Sequence, residues 1–375
     1  MRNRTRLFAS GLALLALGCA QDTASGPAAA DQDASSIRLP AQFPHHLVVM
    51  NRNIYVGTDV DAVIEALGTA DPSDDVPALL QAVATLNETD FTVRARGFAR
   101  EVSWFHPDVI GIVEVSQIDI DLDLTPLGGP HIVAHEDFLP EIMAALAERH
   151  LSYRVAASNR NFTVEPIPGV RLVDYDVTLV GPGVRIDQGV LARNFTTNVG
   201  QVAPGVVLTY GFTLVPVTVR GQPYRVATTH LQDDVGGVDL SMLRAAQMQE
   251  LASLIATDRP AMIVGDFNDP AGTPMYQVAT GAGFTDVWAS LRPNLPGFTC
   301  CHSSDLTDNR VPDQRIDFVM ARGFDWHRDP VKGLIVRFGL LPAEMLAGPD
   351  HPIFVSDHIG LIASLKTQQL KSQRH

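Results

Sequence analysis

Short apolar runs bounded by polar residues recur along this chain, and they constrain its fold more than any other feature. Apolar runs of this kind favour buried β-strands. The segments that contain them are residues 45–53, 108–114, 174–193, 206–219, 224–230, 261–266, 317–320 and 358–365. Their recurrence predicts a core built mainly from strands.

Helical periodicity appears between these strands. It covers residues 76–86, 91–104, 138–150 and 240–257. Thr89 or Asp90 would cap the second helix. The chain has 375 residues, 46% of them hydrophobic, which allows a large buried core and excludes a disordered or disulfide-stapled protein. Because no linker interrupts residues 45–365, we predict one α/β domain there and a polar tail at 366–375.

Residues 1–19 have the composition of a bacterial export signal. Three arginines precede an apolar run that is too short to span a membrane. Gly18 stands before Cys19 as in a lipobox, and residues 20–44 are small and polar like a flexible tether. We expect lipidation at Cys19 and anchoring in the bacterial cell envelope, in the periplasm or at the cell surface. A plain signal peptide cut nearby, which would give a secreted protein, is the alternative.

The charge balance bears on the partners of the chain. It carries 28 basic and 42 acidic residues, a formal net charge of −14, and loss of a leader with Arg2, Arg4 and Arg6 takes this value to −17. Proteins that hold nucleic acid or anionic lipid use lysine and arginine to do so. A long nucleic acid is therefore disfavoured as a binding partner. The only membrane contact that we predict is through the N-terminal lipid anchor.

Asp266 and Asn268 follow a buried run in the string Gly265-Asp266-Phe267-Asn268. Residues two apart in extended backbone point to one face, so the carboxylate and the amide share a face and Phe267 points into the core. The carboxylate suits the orientation of a water, and the amide suits hydrogen bonding to an oxyanion. Turn preference explains any single Asp or Asn at a strand end, but it does not explain Glu114 and His230 in such places.

A second set of residues indicates acid–base chemistry. Asp357 and His358 are adjacent and would diverge on a regular strand, so both reach one site only at a bend or a strand end. An imidazole needs an acceptor to fix its tautomer, and Asp317 on the preceding strand is the candidate. Glu114 is a hard oxygen ligand at the end of a buried run, which suits Mg²⁺.

Cys300 and Cys301 are adjacent in the sequence. Export would place them in an oxidising compartment, where a vicinal disulfide is one outcome and a buried reduced pair is the other. No His or Cys stands at ligand spacing from them, so the sequence predicts neither a zinc site nor a catalytic role for the pair.

Taken together, these strings resemble those of the endonuclease/exonuclease/phosphatase superfamily, which has the DNase I-like fold. The resemblance covers residues 45–365 and keeps the order of the family's motifs. Val113 departs from it, because the family usually has Gln before its metal-binding glutamate. The matching residues are Asn53, Glu114, His230, Asp266, Asn268, Asp317, Asp357 and His358.

The resemblance implies a fold, a cofactor and a set of roles. The fold would be a four-layer α/β sandwich with two packed, mainly antiparallel β-sheets flanked by helices. The activity would be that of a metal-dependent phosphoesterase, with Mg²⁺ or Mn²⁺ (Ca²⁺ as a further candidate) held by Asn53, Glu114 and Asp357. Catalysis would fall to His230, Asp266, Asn268, Asp317 and His358. The division of acid and base roles among Asp266, His230 and His358 stays open.

The substrate also stays open at this point. A nuclease would need a basic or aromatic groove and a sphingomyelinase an exposed aromatic hairpin, and the sequence shows neither. Nothing contradicts a soluble phosphate ester, and we expect a monomer. A catalytically inactive surface lipoprotein or binding module with the same fold is the alternative to an enzyme. It is disfavoured because the residues that handle metal and water are all present.

Overall fold

Two β-sheets form the centre of the computed structural model, which describes residues 46–60, 62, 63, 66, 74–125, 129–165, 167–203, 205–325 and 333–367. The predicted leader, Cys19 and the tether lie outside these residues. The predicted tail does so as well, apart from its first two residues. No helix in the described part of the chain is long and apolar enough to cross a membrane.

The described strands divide between two large sheets and one two-stranded ribbon. The strands are β1 (His46–Asn53), β2 (Val109–Val113), β3 (Gln117–Asp123), β4 (His131–Asp137), β5 (Arg154–Val164), β6 (Val170–Val180), β7 (Arg185–Ile186), β8 (Leu191–Asn194), β9 (Gly200–Ala203), β10 (Val206–Leu208), β11 (Gly211–Val219), β12 (Gln222–His230), β13 (Ala261–Asp266), β14 (Thr285–Asp286), β15 (Asp317–Arg322), β16 (Gly333–Phe338), β17 (Leu346–Ala347), β18 (Pro352–Ile353) and β19 (Gly360–Lys366).

The first sheet has the strand order β16-β19-β1-β2-β6-β5-β10-β9, and β3 and β4 extend it beside β6. The second has the order β14-β15-β13-β12-β11-β7, with β8 also paired to β11. Strands β1 and β2 are parallel, as are β12 and β13. The other pairings in these sheets are antiparallel, as the sequence predicted.

Helices cover the outer faces of both sheets. The helices are α1 (Asp75–Thr89), α2 (Phe91–Phe105), α3 (Phe138–Glu148), α4 (Ser241–Leu254), α5 (Pro274–Gly281) and α6 (Val287–Leu291). Phe98 of α2 and Phe138 of α3 are buried against the first sheet, and Met248 of α4 is buried against the second. A cluster of valines and leucines fills the space between the sheets. The predicted four-layer α/β sandwich is therefore confirmed.

The strand directions bring the predicted site residues to one edge of this sandwich. The parallel strands β1 and β2 end there, at Asn53 and immediately before Glu114, and the parallel strands β12 and β13 end at His230 and Asp266. Strand β15 runs antiparallel to β13 and therefore begins at this edge, with Asp317 directly opposite Asp266. Strand β19 is antiparallel to β1 and begins just after the Asp357–His358 pair.

Gly265 allows strands β12 and β13 to lie close together at this edge. Its φ is +154°, and a Cβ at this position would lie 1.8 Å from the carbonyl oxygen of Thr229 on the neighbouring strand β12. Any larger residue would push the strands apart. The glycine therefore holds His230 and Asp266 in adjacent positions.

Candidate active site

The strand-end edge opens into a pocket of about 500 Å³. Six of the residues predicted for catalysis and metal binding line it, namely Glu114, His230, Asp266, Asn268, Asp357 and His358. The other two, Asn53 and Asp317, lie behind the wall and are each 1% exposed. The structure thus gathers all eight predicted residues of the domain around one cavity.

Asn53 joins the two carboxylates at the floor of the pocket. Its Nδ2 donates to Oε1 of Glu114 at 2.7 Å and to Oδ2 of Asp266 at 3.1 Å. The other carboxylate oxygen of Glu114 accepts a hydrogen bond from the backbone nitrogen of Val56 at 2.9 Å. Glu114 has a left-handed backbone with φ +59°, a conformation that is costly for a non-glycine residue and is concentrated at functional sites.

The charge of Glu114 is only partly compensated by its surroundings. Burial raises its pKa to about 7, against the opposing effect of His230 and with a further increase from Asp357. A bound cation would offset the cost of keeping this buried carboxylate charged.

His230 and Asn268 form the second side of the pocket. Nδ2 of Asn268 lies 3.0 Å from Nε2 of His230 and donates to the carbonyl of Leu231 at 2.9 Å. The backbone nitrogen of Asn268 donates to Oδ1 of Asp266 at 2.9 Å, and Asn268 has a left-handed φ of +50°. Burial by itself lowers the pKa of His230, but the carboxylates of Asp266 and Glu114 outweigh it and raise that pKa.

His358 forms the third side, with Asp317 behind it. Nδ1 of His358 lies 2.8 Å from Oδ2 of Asp317 and 3.6 Å from Oδ2 of Asp266. Burial by itself lowers the pKa of His358, but the nearby carboxylates, first that of Asp317 and then that of Asp266, raise it well above its usual value. These carboxylates therefore favour the protonated form of the imidazole.

A buried ion pair fixes the backbone that carries His358. The guanidinium of Arg52 on β1 donates to the carbonyl oxygen of His358 and lies 2.9 Å from the carboxylate of Glu101 on α2. Arg52 is fully buried and Glu101 is 1% exposed. The loop before β19 is thereby tied to β1 at the position of His358.

Asp357 lies on the pocket wall but apart from the Glu114 group. Its backbone oxygen accepts from the nitrogen of His302 at 2.7 Å, and its Oδ1 accepts from Ser356 Oγ at 3.3 Å. In the described residues, the ligand atoms of Glu114, His230 and Asp266 all lie within 4.8 Å of one another, and Asp357 belongs to no such group.

Two buried carboxylates on β6 were not among the residues predicted from the sequence. Asp174 and Asp176 lie behind His230, and the amide of Asn161 donates to both, at 2.8 and 3.0 Å. Burial raises the pKa of Asp174 and raises that of Asp176 well above its usual value. Their signal in the sequence is the pair of acids two residues apart within an apolar strand, which places both on one face.

Cys300 and Cys301 are joined by a vicinal disulfide at the pocket wall. Sγ of Cys301 lies 3.7 Å from Nε2 of His358. Of the two states that the sequence left open, the structure has the oxidised one.

Comparisons with known proteins found one family model and a set of solved structures. The family model described as Endonuclease/Exonuclease/phosphatase family matches residues 53–358, from the first to the last of the predicted site residues in the domain. No curated protein matches the sequence.

Several solved structures share the fold. An endonuclease/exonuclease/phosphatase from Beutenbergia cavernae DSM 12333 has a TM-score of 0.52 at 19% identity, over 86% of this chain and 72% of that chain. An endonuclease/exonuclease/phosphatase family protein from Leptotrichia buccalis C-1013-b has a TM-score of 0.51 at 14% identity, over 85% and 99% of the two chains. The human Nocturnin catalytic domain with bound sulfate anion has a TM-score of 0.50 at 12% identity, over 86% and 94%. At these identities, the comparisons show the fold alone.

Proposed function

The chain belongs to the endonuclease/exonuclease/phosphatase family, and we propose that it is a metal-dependent phosphoesterase that hydrolyses a phosphodiester or phosphomonoester by in-line attack of water. One observation carries this proposal. The Asn53–Glu114–Asp266 group and the Asp317–His358 pair meet at one pocket, where Oδ2 of Asp266 lies within 3.6 Å of the His358 ring. The first group fits a cation and an attacking water, and the second fits the transfer of a proton.

The donor atoms around Glu114 fit Mg²⁺ or Mn²⁺, with Ca²⁺ as a further candidate. Carboxylate oxygens of Glu114 and Asp266 lie close to a ring nitrogen of His230, and hard oxygen ligands are those that these ions prefer. Glu114 would hold the ion, Asn53 would fix its carboxylate, and Asp357 is a further ligand candidate on the same pocket wall. When bound, the ion supplies charge stabilisation to a phosphoryl oxygen.

The remaining steps belong to side chains of this chain. Asp266, held by the backbone of Asn268, orients the attacking water and accepts its proton. Asn268 and His230, whose side chains lie 3.0 Å apart at the pocket, are placed to contact the phosphoryl oxygens as charge develops there. His358 directs Nδ1 at Asp317, which leaves Nε2 as the atom that donates a proton to the leaving oxygen.

The charge of the pocket wall favours a small substrate over a long nucleic acid. Among the described residues that line the pocket, seven are acidic and one, Arg310, is an arginine. A polyanion would meet repulsion along such a wall, since tight binding of a phosphate backbone depends on basic residues. A soluble phosphate ester, which needs to place only one phosphoryl group near the ion, avoids most of that repulsion.

We further propose that the protein is exported and anchored through Cys19. The support is the sequence of residues 1–19, which has a basic start, an apolar run and a cysteine after a small residue. In a bacterial host, the wild-type chain should partition into the detergent phase and Cys19→Ser into the aqueous phase. Equal partition of both would overturn the lipid anchor.

The activity is tested by assaying the full chain on several esters in parallel. The substrates are bis-p-nitrophenyl phosphate, plasmid DNA, RNA, sphingomyelin and inositol phosphates, each with Mg²⁺, Mn²⁺ or Ca²⁺. We expect metal-supported hydrolysis that is faster on a small ester than on DNA or RNA. If none of these esters is hydrolysed with any of the ions, the chain is instead a binding module with the same fold.

A further inference from the structure

We propose that reduction of the Cys300–Cys301 disulfide creates, together with His358, a second cation site in the pocket wall that binds a thiophilic ion such as Zn²⁺ and thereby withdraws His358 from catalysis. The binding itself is independent of the proposed function, whereas the inhibition rests on it. This site has sulfur and imidazole donors and is therefore distinct from the oxygen-rich position around Glu114.

The cysteine pair is held beside His358 by backbone hydrogen bonds on both sides. The nitrogen of His302 donates to the carbonyl of Asp357 at 2.7 Å, and the nitrogen of Ile359 donates to the carbonyl of Thr299 at 2.7 Å. The segment with the cysteines therefore runs alongside the segment with the histidine. This contact joins residues that are far apart in the sequence, which is why spacing alone predicted no zinc site here.

The donor atoms are already gathered. The sulfur atoms of Cys300 and Cys301 and a ring nitrogen of His358 all lie within 4.8 Å of one another. Nδ1 of His358 is held by Asp317, so Nε2 is the atom directed at the cysteines, 3.7 Å from Sγ of Cys301. In metal-binding histidines, the ring nitrogen that does not bind the metal commonly donates a hydrogen bond to a carboxylate. Two thiolates and one imidazole select Zn²⁺ or Cd²⁺ over Mg²⁺.

The redox step controls whether this site exists. In the oxidised chain each sulfur is bonded to the other, and neither is a thiolate. An external dithiol breaks the S–S bond by supplying two electrons and two protons, and it becomes a disulfide itself. The cation then displaces the two thiol protons and occupies Nε2 of His358, which can no longer donate a proton to a leaving group.

Cadmium titration of the full chain tests the site directly. The chain has three cysteines, so Cys19→Ser in every sample leaves Cys300 and Cys301 as the remaining thiols. The readout is the thiolate-to-cadmium charge-transfer absorption, which does not depend on activity. We expect one Cd²⁺ per reduced chain and no such absorption in the oxidised chain. Equal Cd²⁺ binding by both redox states would overturn the proposal.

The histidine ligand is tested by His358→Ala, with His351→Ala as the matched control. His351 contacts the carbonyl of Asp305 at 3.3 Å and belongs to none of the described ligand groups. Loss of an outer partner of a metal ligand costs about 10- to 100-fold in affinity, so loss of the ligand itself should weaken Cd²⁺ binding by at least about tenfold. X-ray absorption of the wild-type zinc complex identifies the ligands without a variant. We expect the zinc to have two sulfur neighbours and one imidazole. Unchanged affinity in His358→Ala, or a spectrum without imidazole, would overturn the site.

The consequence for activity is measured separately. Zn²⁺ should inhibit Mg²⁺-supported hydrolysis by the reduced chain and leave the oxidised chain largely unaffected. If the chain binds Cd²⁺ as expected but hydrolyses no ester, the proposed function fails and the cation site stands. If it hydrolyses esters and Zn²⁺ inhibits both redox states equally, the proposed function stands and the redox-controlled site fails.

Discussion

The carboxylate of Asp317 lies 2.8 Å from Nδ1 of His358, with both side chains buried. This pair sets the orientation of the imidazole, raises the pKa of His358 and leaves Nε2 as the ring nitrogen that does not face the carboxylate. Four predictions follow from it and from the neighbouring groups, and each can be checked on the purified chain.

Replacement of Asp317 by Asn should lower kcat by about 100-fold or more, because the imidazole loses the acceptor that orients it. The Asp317 carboxylate raises the pKa of His358, so its loss should lower that pKa and move the alkaline limb of the pH–rate profile to lower pH. The measurement is kcat/KM against pH. Asp258→Asn, which changes a largely exposed carboxylate on the surface, is the control and should keep the wild-type profile. An unshifted alkaline limb in Asp317→Asn would contradict the assigned role.

Replacement of Glu114 by Gln should reduce turnover by about 100-fold or more, because the amide binds a divalent cation far more weakly than the carboxylate does. Excess Mn²⁺ should restore part of the loss, which separates weaker ion binding from misfolding. Glu148→Gln removes a carboxylate that is 65% exposed on α3 and serves as the matched control. Turnover within tenfold of wild type at limiting Mg²⁺ would remove Glu114 from the proposed ion site.

The affinity for Mg²⁺ should depend on pH, because burial raises the pKa of Glu114 to about 7 in the ion-free protein. A carboxyl group must lose its proton to bind a cation, so below this pKa the ion and a proton compete. Affinity should therefore rise with pH up to about 7 and then level off, with release of a proton on binding below that point. Calorimetry in two buffers of different ionisation enthalpy measures both the Mg²⁺ affinity and the number of protons released on binding. A flat affinity across this range would show that Glu114 does not control binding.

Replacement of Gly265 by Ala should destabilise the fold by about 3 kcal/mol or more, because the new methyl group would collide with the backbone of β12. The strands that carry His230 and Asp266 would have to separate, so activity should fall together with stability. Gly281 at the end of α5 has open space around its Cβ position, and Gly281→Ala is the control. Urea unfolding of both variants measures the difference in their free energies of unfolding. Equal midpoints would contradict the close approach of the strands.

Much of the site could be predicted from the sequence because its residues stand at strand ends. Asn53, Glu114, His230 and Asp266 each end or follow an apolar run, and this pattern is visible without any knowledge of the fold. The structure explains the pattern, since two parallel strand pairs end at the same edge and their end residues meet there. The resemblance to the family supplied the packing of one sheet on the other.

Other features could not be predicted because they depend on contacts between distant residues. Asp174 and Asp176 lie in the middle of a strand, where no boundary marks them, and they become notable only because β6 passes behind His230. The approach of Cys301 to His358 depends on the pairing of two loops. Within the segment 174–193, β6 ends at Val180, because Pro182 and Gly183 form a turn before the short strands β7 and β8.

The most direct test is the hydrolysis of bis-p-nitrophenyl phosphate by the full chain with Mg²⁺ or Mn²⁺, measured before and after EDTA and again after restoring the ion. We expect turnover that EDTA abolishes, that the added ion restores, and that both Glu114→Gln and His358→Ala reduce by about 100-fold or more. Turnover that survives EDTA, or that stays within tenfold of wild type in both variants, would show that the chain is not the proposed metal-dependent phosphoesterase.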